Sequence, residues 1–299
     1  MQKTNWKVTT GDFVFGATIR KPEKLFSSDN QQYMIEFGGT AKCIDITVYK
    51  NDEKAWLTGL KHDELCAVNK PLATGDEGTV VMVKAAVAFV KFKFPFVTHF
   101  EFLDTSHIDC KKKTQLSLAY FHFAKHGNTW YGSKFDAKPC VVGMDIQMRD
   151  LNKWMDSVSE KQKYSFAKFR AEHLELEIEH AYKDFKRADA MKTKLFEVIR
   201  PVFDETRTFR EFITTLDTRI PKNCIVFYGW LEPFLNNIGN VNFHDTHWAF
   251  SSDLPELPRM KIEKIKENLM RPTTRPQFDW MSTIPSNTMT GGKRFRLPF

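Results

Sequence analysis

Residues 75–92, Gly75-Asp76-Glu77-Gly78-Thr79-Val80-Val81-Met82-Val83-Lys84-Ala85-Ala86-Val87-Ala88-Phe89-Val90-Lys91-Phe92, change the periodicity of the chain. Val80, Val83, Ala86, Val87 and Val90 recur at helical spacing, and Thr79 has the side chain of an N-cap. The stripe outweighs the strand preference of its valines and predicts a helix from Thr79 to Phe92, ended by Pro95.

Upstream, the pattern is that of strands. Phe13-Val14-Phe15, Tyr33 to Phe37, Cys43 to Tyr49 and Ala55-Trp56-Leu57 are short apolar or alternating runs, and Asn51-Asp52 supplies a turn between the last two. An antiparallel meander is expected. Downstream, Phe96 to Leu103 reads as a buried strand ending in Asp104-Thr105-Ser106, and Thr114 to Lys125 as a second helix stopped by Gly127. Several strands, then helix, strand and helix predict an α+β fold whose N-terminal sheet is mixed and mainly antiparallel, with helices packed on it.

After Pro139 the chain turns helical. Between Leu151 and Arg200 there is no Gly or Pro, and Leu174, Ile178, Ala181, Tyr182, Phe185 and Ala188 trace an amphipathic stripe, so one long helix or two should run there and close at Pro201. Thr208 to Leu216 predicts another helix. Cys224 to Leu235 is apolar enough to be either a strand or a buried helix. The expected organisation is a sheet-and-helix domain over 1–140, a mainly helical domain over 141–268 and an extended arm over 269–299.

The 299 residues are 42% hydrophobic and 27% charged, the composition of a soluble globular chain. Phe occurs 27 times against 7 Tyr and 7 Trp, which points to much buried packing surface. The formal charge is +7, of which +4 lies in the arm on Arg271, Arg275, Lys293, Arg294 and Arg296 against Asp279. Pro272, Pro276, Pro285 and Pro298 with Gly291-Gly292 exclude regular structure there, so the arm, with Trp280 and Phe295 as aromatic anchors, is read as docking on a partner. Cys43, Cys66, Cys110, Cys140 and Cys224 are odd in number, widely spread and without zinc spacing; they are read as free thiols in a reducing compartment. The N-terminus lacks the apolar core of a signal peptide, and Lys84 and Lys91 interrupt the longest apolar run, so no membrane span is expected.

The polar residues that could carry chemistry lie near strand ends and on helices. Asp104 and His107 lie where α/β sites gather, His126 is a third candidate base, and Tyr120 or Tyr131 would supply an acid. His122 and His126 share a helix face, as do His173, Glu177 and His180, and His244-Asp245-Thr246-His247 adds a further histidine pair. Without the glutamate of zinc-protease helices, these read as structural, and no metal is expected. Lys111-Lys112-Lys113 and the basic arm are the features that suit nucleic acid.

Leu72 to Thr79, followed by helix, strand and helix, resembles the core of GNAT-type N-acetyltransferases over roughly residues 43 to 137. The resemblance implies a turn at Gly75, Gly78 and Thr79 that holds the pyrophosphate of acetyl-CoA on backbone N–H groups. Here the turn is G-x-x-G and encloses Asp76 and Glu77, whose charges oppose a pyrophosphate at that helix end. Lys125 to Ala137, with Gly127-Asn128-Thr129-Trp130-Tyr131 leading to Phe135, is similar to uncharacterised proteins of nucleocytoplasmic large DNA viruses, and the Cys224–Leu235 stretch resembles them too. That likeness implies a viral protein in a virion or host cytoplasm. The leading expectation is a non-enzymatic structural or interaction protein, a minor capsid-associated component on a degenerate GNAT-like core, with no cofactor. An acetyl-CoA-dependent N-acetyltransferase and a nucleic-acid-binding factor in viral transcription or packaging are the alternatives.

Overall fold

The computed structural model describes residues 2–21, 32–50, 52–61, 63–72, 76–110, 114–182, 188–220, 226–255 and 257–270. The chain is α+β: a mainly antiparallel sheet leads and helices follow. The described residues divide into two units. Residues 1–103, 134–138 and 247–270 make the first, and residues 104–133 and 139–246 the second.

The first unit holds the expected meander: β1 (Gln2–Thr10), β2 (Phe13–Lys21), β3 (Gln32–Gly38), β4 (Lys42–Tyr49) and β5 (Lys54–Leu60), each antiparallel to the next. Between β4 and β5 the register slips: Ile46 faces Leu57 but Asp45 faces Gly59, so Thr58 is an extra residue in a β-bulge. A single helix, α1 (Asp76–Lys93), then carries the chain to β6 (His99–Leu103), which lies parallel to β5 as a crossover connection allows. Strand β9 (Lys138–Pro139), β10 (His247–Ser251) and β11 (Lys261–Ile265) complete the nine-stranded order β11-β1-β2-β3-β4-β5-β6-β10-β9. Residues 247–265, read into the helical region from sequence, thus supply two strands. Helix α1 buries Met82, Val83, Ala86, Val87, Phe89 and Val90, and the Phe37 ring meets Phe89 at 6.3 Å and Phe15 at 5.3 Å.

Two expectations for this unit are corrected. Helix α1 starts at Asp76, so Thr79 is its fourth residue and not an N-cap; acidic residues suit the positive end of the helix dipole, and the first turn tolerates Gly78. Cys43 on β4 and Cys66, in the short 3-10 turn Glu64–Cys66, are not free thiols but a disulfide with Cα atoms 5.7 Å apart. Cys110 is likewise disulfide-bonded. The ground for a reducing compartment is therefore lost. The β5–α1 connection is seated against the sheet: Ala41 N donates to Leu65 O at 3.1 Å, and a Cβ on Gly39 would fall 2.3 Å from Leu65 O and the Ala67 carbonyl carbon. Only glycine fits there.

The second unit opens with a two-stranded ribbon, β7 (His107–Asp109) and β8 (Gln115–Ser117), followed by α2 (Leu118–His126). The helix expected from Thr114 therefore begins four residues later, because Gln115 to Ser117 are held in pairing with β7. Gly127 ends it as expected, with φ of 76° and its N–H on Phe123 O at 2.8 Å. Next come α3 (Trp130–Phe135), α4 (Met144–Met155), α5 (Val158–Gln162), α6 (Phe166–Phe169), a π-turn over Arg170–Leu174, α7 (Glu175–Tyr182), α8 (Ala188–Glu205), α9 (Phe209–Arg219) and α10 (Leu231–Gly239). The stretch expected as one long helix or two is broken by serines: Ser157 accepts from Glu160 N and Ser165 from Lys168 N, each capping a new start. Pro201 lies inside α8 and does not close it. The Cys224–Leu235 stretch resolves, in its described part, into a turn and then α10. The Phe excess is spent here: Phe169 lies within 6.1 Å, centroid to centroid, of Phe203, Phe209, Phe212, Trp230 and Phe234.

Candidate functional site

The Asp104 turn and the residues around α2 and α10 gather the titratable groups of the second unit. Asp104 is 2% exposed, and its Oδ1 accepts from Ser106 N at 3.1 Å and from Ser106 Oγ. Its Oδ2 is buried with no hydrogen-bond partner. Burial raises the carboxyl's pKa above the usual value, and the Ser106 bonds and the charge of His244 oppose that only in part. Tyr131, 6% exposed, is held well above 10 by burial and then by Asp104's charge. Tyr120 is fully buried; its hydroxyl accepts from Phe243 N at 3.0 Å, and burial pushes it up to about 12. At the rim His244 donates Nε2–H to Glu232 Oε1 at 2.9 Å, and its ring centroid is 5.3 Å from that of Tyr120. The Glu232 hydrogen bond raises the His244 pKa, against burial and with help from the charges of Glu232, Asp104 and Asp245.

The fold therefore brings Asp104, Tyr120 and Tyr131 into one electrostatic neighbourhood. His107 is not part of it: its ring lies 2.7 Å from Gln115 Nε2 and 3.3 Å from Thr105 O. His126 stacks near His122, whose Nδ1 donates to Asn128 O at 2.8 Å. Sequence reading treated His244 as half of a histidine pair and overlooked Glu232. His244 and His247 in fact fall in different units, and the partner that matters for His244 comes from α10. The chemistry open to the cluster is limited. Asp104 and both tyrosines are walled off, so the His244–Glu232 pair is the part that solvent reaches for proton exchange.

In the first unit, Gly78 and Thr79 are the third and fourth residues of α1 and both are buried, while Glu77 is exposed beside them. Gly75 lies outside the described residues, as do Arg271, Arg275, Trp280, Lys293, Arg294, Phe295 and Arg296 of the arm and Lys111 to Lys113. Strands β5 and β6 pair only at Lys54–His99, Ala55–Phe100 and Trp56–Glu101. Beyond Trp56, next to the Thr58 bulge, they run without pairing to each other. Among the described residues no group of three or more His, Cys, Asp or Glu is placed to hold a metal ion, and no helix is long and apolar enough to cross a membrane. His173 sits near Tyr164, its Nε2 3.5 Å from the hydroxyl, and burial lowers its pKa.

One residue that sequence reading did not single out organises the second unit. Arg210 on α9 donates Nη1 to the carbonyls of Phe123 and Ala124 at 2.9 Å each, Nη2 to Asn152 Oδ1 at 2.7 Å, and Nε to Asp156 Oδ1 at 2.6 Å. It satisfies two carbonyls in the last turn of α2 while tying that turn to α4. An Arg near the start of a predicted helix carried no signal for this, because its partners lie 54 to 87 residues away.

No known protein family, curated protein or solved structure matched the chain in sequence and structure comparisons.

Proposed function

We propose that the chain is a non-enzymatic structural or interaction protein built on an acetyltransferase-like core. The observation that carries this reading is the fate of the residues an acetyl transfer would need. Asp104, Tyr120 and Tyr131 are shut away from solvent, and two of them are already engaged, by the Ser106 turn and the Phe243 amide. The acidic start of α1 adds to it, since Glu77 stands exposed at the N-terminal turn, where its charge would repel a pyrophosphate and offset the helix dipole's attraction for it. The likeness of Lys125–Ala137 to proteins of large DNA viruses supports a minor capsid-associated role in a virion or in host cytoplasm, with other assembly proteins bound through the 269–299 arm.

Acetyl-CoA-dependent N-acetyltransfer is the second reading, and a specific observation favours it: one crossover helix links two parallel strands that cease to pair after three residues, the place where an extended ligand would enter between them. Calorimetric titration with acetyl-CoA separates the two. The structural reading expects no heat of binding at micromolar concentrations; saturable micromolar binding abolished by blocking the β5–β6 opening would replace it with the enzyme.

A further inference from the structure

We infer that the C-terminal end of α1 carries a stacking site for single-stranded nucleic acid, separate from the basic arm. Phe92, in the last turn of α1, is 57% exposed. Its ring meets Trp6 of β1 edge-on at 6.4 Å and is not stacked face to face on it. Lys93 reaches back over both rings, its Nζ 4.2 Å from the Trp6 centroid and 5.7 Å from that of Phe92. Lys264 of β11 is directly opposite Trp6 in the β1–β11 register, so its side chain shares that face of the sheet, and it is exposed. Phe96, 37% exposed, follows just past the helix end. Among the described residues, neither Lys93 nor Lys264 has a carboxylate within ion-pair distance. Lys91 is different, being committed to Asp253.

The chemistry of this patch is an exposed aromatic ring with two ammonium groups beside it, Lys93 over the rings and Lys264 on the same face, neither ion-paired among the described residues. A base stacks on any π-face and its phosphate meets an ammonium, which is how sequence-tolerant single-strand sites are built. A bilayer would need a wide apolar face; here the exposed Phe92 is flanked in sequence by Lys91 and Lys93. An acidic peptide would satisfy the charges but leave the ring faces unused. Duplex DNA, whose bases are stacked inside, offers no base to Phe92.

The inference goes beyond the function proposed above and survives either outcome of the acetyl-CoA titration. Its test uses the full chain and fluorescence anisotropy of labelled dT20, dT20 annealed to dA20, and vesicles of phosphatidylserine and phosphatidylcholine. Single-strand binding should fall steeply with salt, weaken about tenfold in Phe92→Ala, as the loss of one stacked base implies, and recover in Phe92→Trp. Lys93→Ala or Lys264→Ala should lower the salt exponent by about 0.7 each. Because the arm is intact in every variant, a loss confined to these positions cannot come from it. Equal affinity in wild type and Phe92→Ala, tighter binding to the duplex, or binding to vesicles without binding to dT20 would each overturn the inference.

Discussion

Replacing Arg210 by alanine should be the most damaging single change in the second unit that leaves its apolar core intact. The guanidinium is 16% exposed and makes four hydrogen bonds. Its bond to Asp156 adds little, because that carboxylate is 56% exposed and solvent replaces the arginine. The Ala124 carbonyl is the costly loss: the residue is fully buried, and a carbonyl left without a donor costs roughly 1–3 kcal/mol, whereas Phe123 O keeps the Gly127 N–H at 2.8 Å. Asn152 loses a charged donor but keeps its own bond, Nδ2 to Gly127 O at 2.7 Å. Together these give a loss of about 2 kcal/mol, or a fall in Tm of roughly 5 °C for a chain of this size. Arg210→Lys should recover less than half, since one ammonium cannot span three acceptors in a plane. Urea unfolding followed by far-UV circular dichroism measures both. If Arg210→Ala unfolds within about 0.5 kcal/mol of wild type, then water or a neighbouring side chain satisfies the Ala124 carbonyl and Arg210 is not the hub of this unit.

Reducing the Cys43–Cys66 disulfide, or Cys66→Ser, should cost about 3 kcal/mol from the entropy of opening a loop of 23 residues, read as a shift of the urea midpoint with and without reductant. Asp104→Asn should gain stability over wild type as pH rises. The folded carboxyl's pKa is raised above the unfolded value, so wild type is favoured below about pH 3.8, loses stability as pH climbs through the folded pKa, and carries a constant penalty above it; a pH-independent difference would contradict the buried carboxyl. Lys161, buried with its Nζ on Phe203 O at 3.0 Å, has a pKa lowered to about 8 chiefly by burial. Wild type should therefore gain stability between about pH 8 and 10.5, where the unfolded lysine still holds its proton. In Lys161→Met that slope should vanish.

Much of the backbone plan was legible because its signals are local. Alternation gave β3 and β4, the valine and alanine stripe gave α1, Gly127 ended α2, and Thr208 capped α9 by accepting from Glu211 N. Reading failed where a long-range partner outweighed the local pattern. Thr114 to Ser117 look helical until β7 claims them, and residues 247–265 look like part of a helical region until β6 and β1 pair with β10 and β11. The serines at 157 and 165 were visible, but an unbroken charge-and-Leu pattern hid that they start new helices.

The site followed the same division. That Asp104 ends a strand and that Tyr120 and Tyr131 follow it could be read directly; that all three are closed off, and that His244 joins them through Glu232 and not through His247, required the packing of α2 against α10. Cysteine count and spacing left Cys43 and Cys66 as two of five thiols, and only the approach of β4 to the turn before α1 joined them. The amino-acid order by itself determined which elements form and how much aromatic surface must be buried, because helix period, strand alternation and caps act within a few residues. Which carboxylate is buried, which cysteines meet and which arginine holds two helices together were decided by tertiary structure, since burial and partner choice depend on residues that lie 20 to 140 positions apart along the chain.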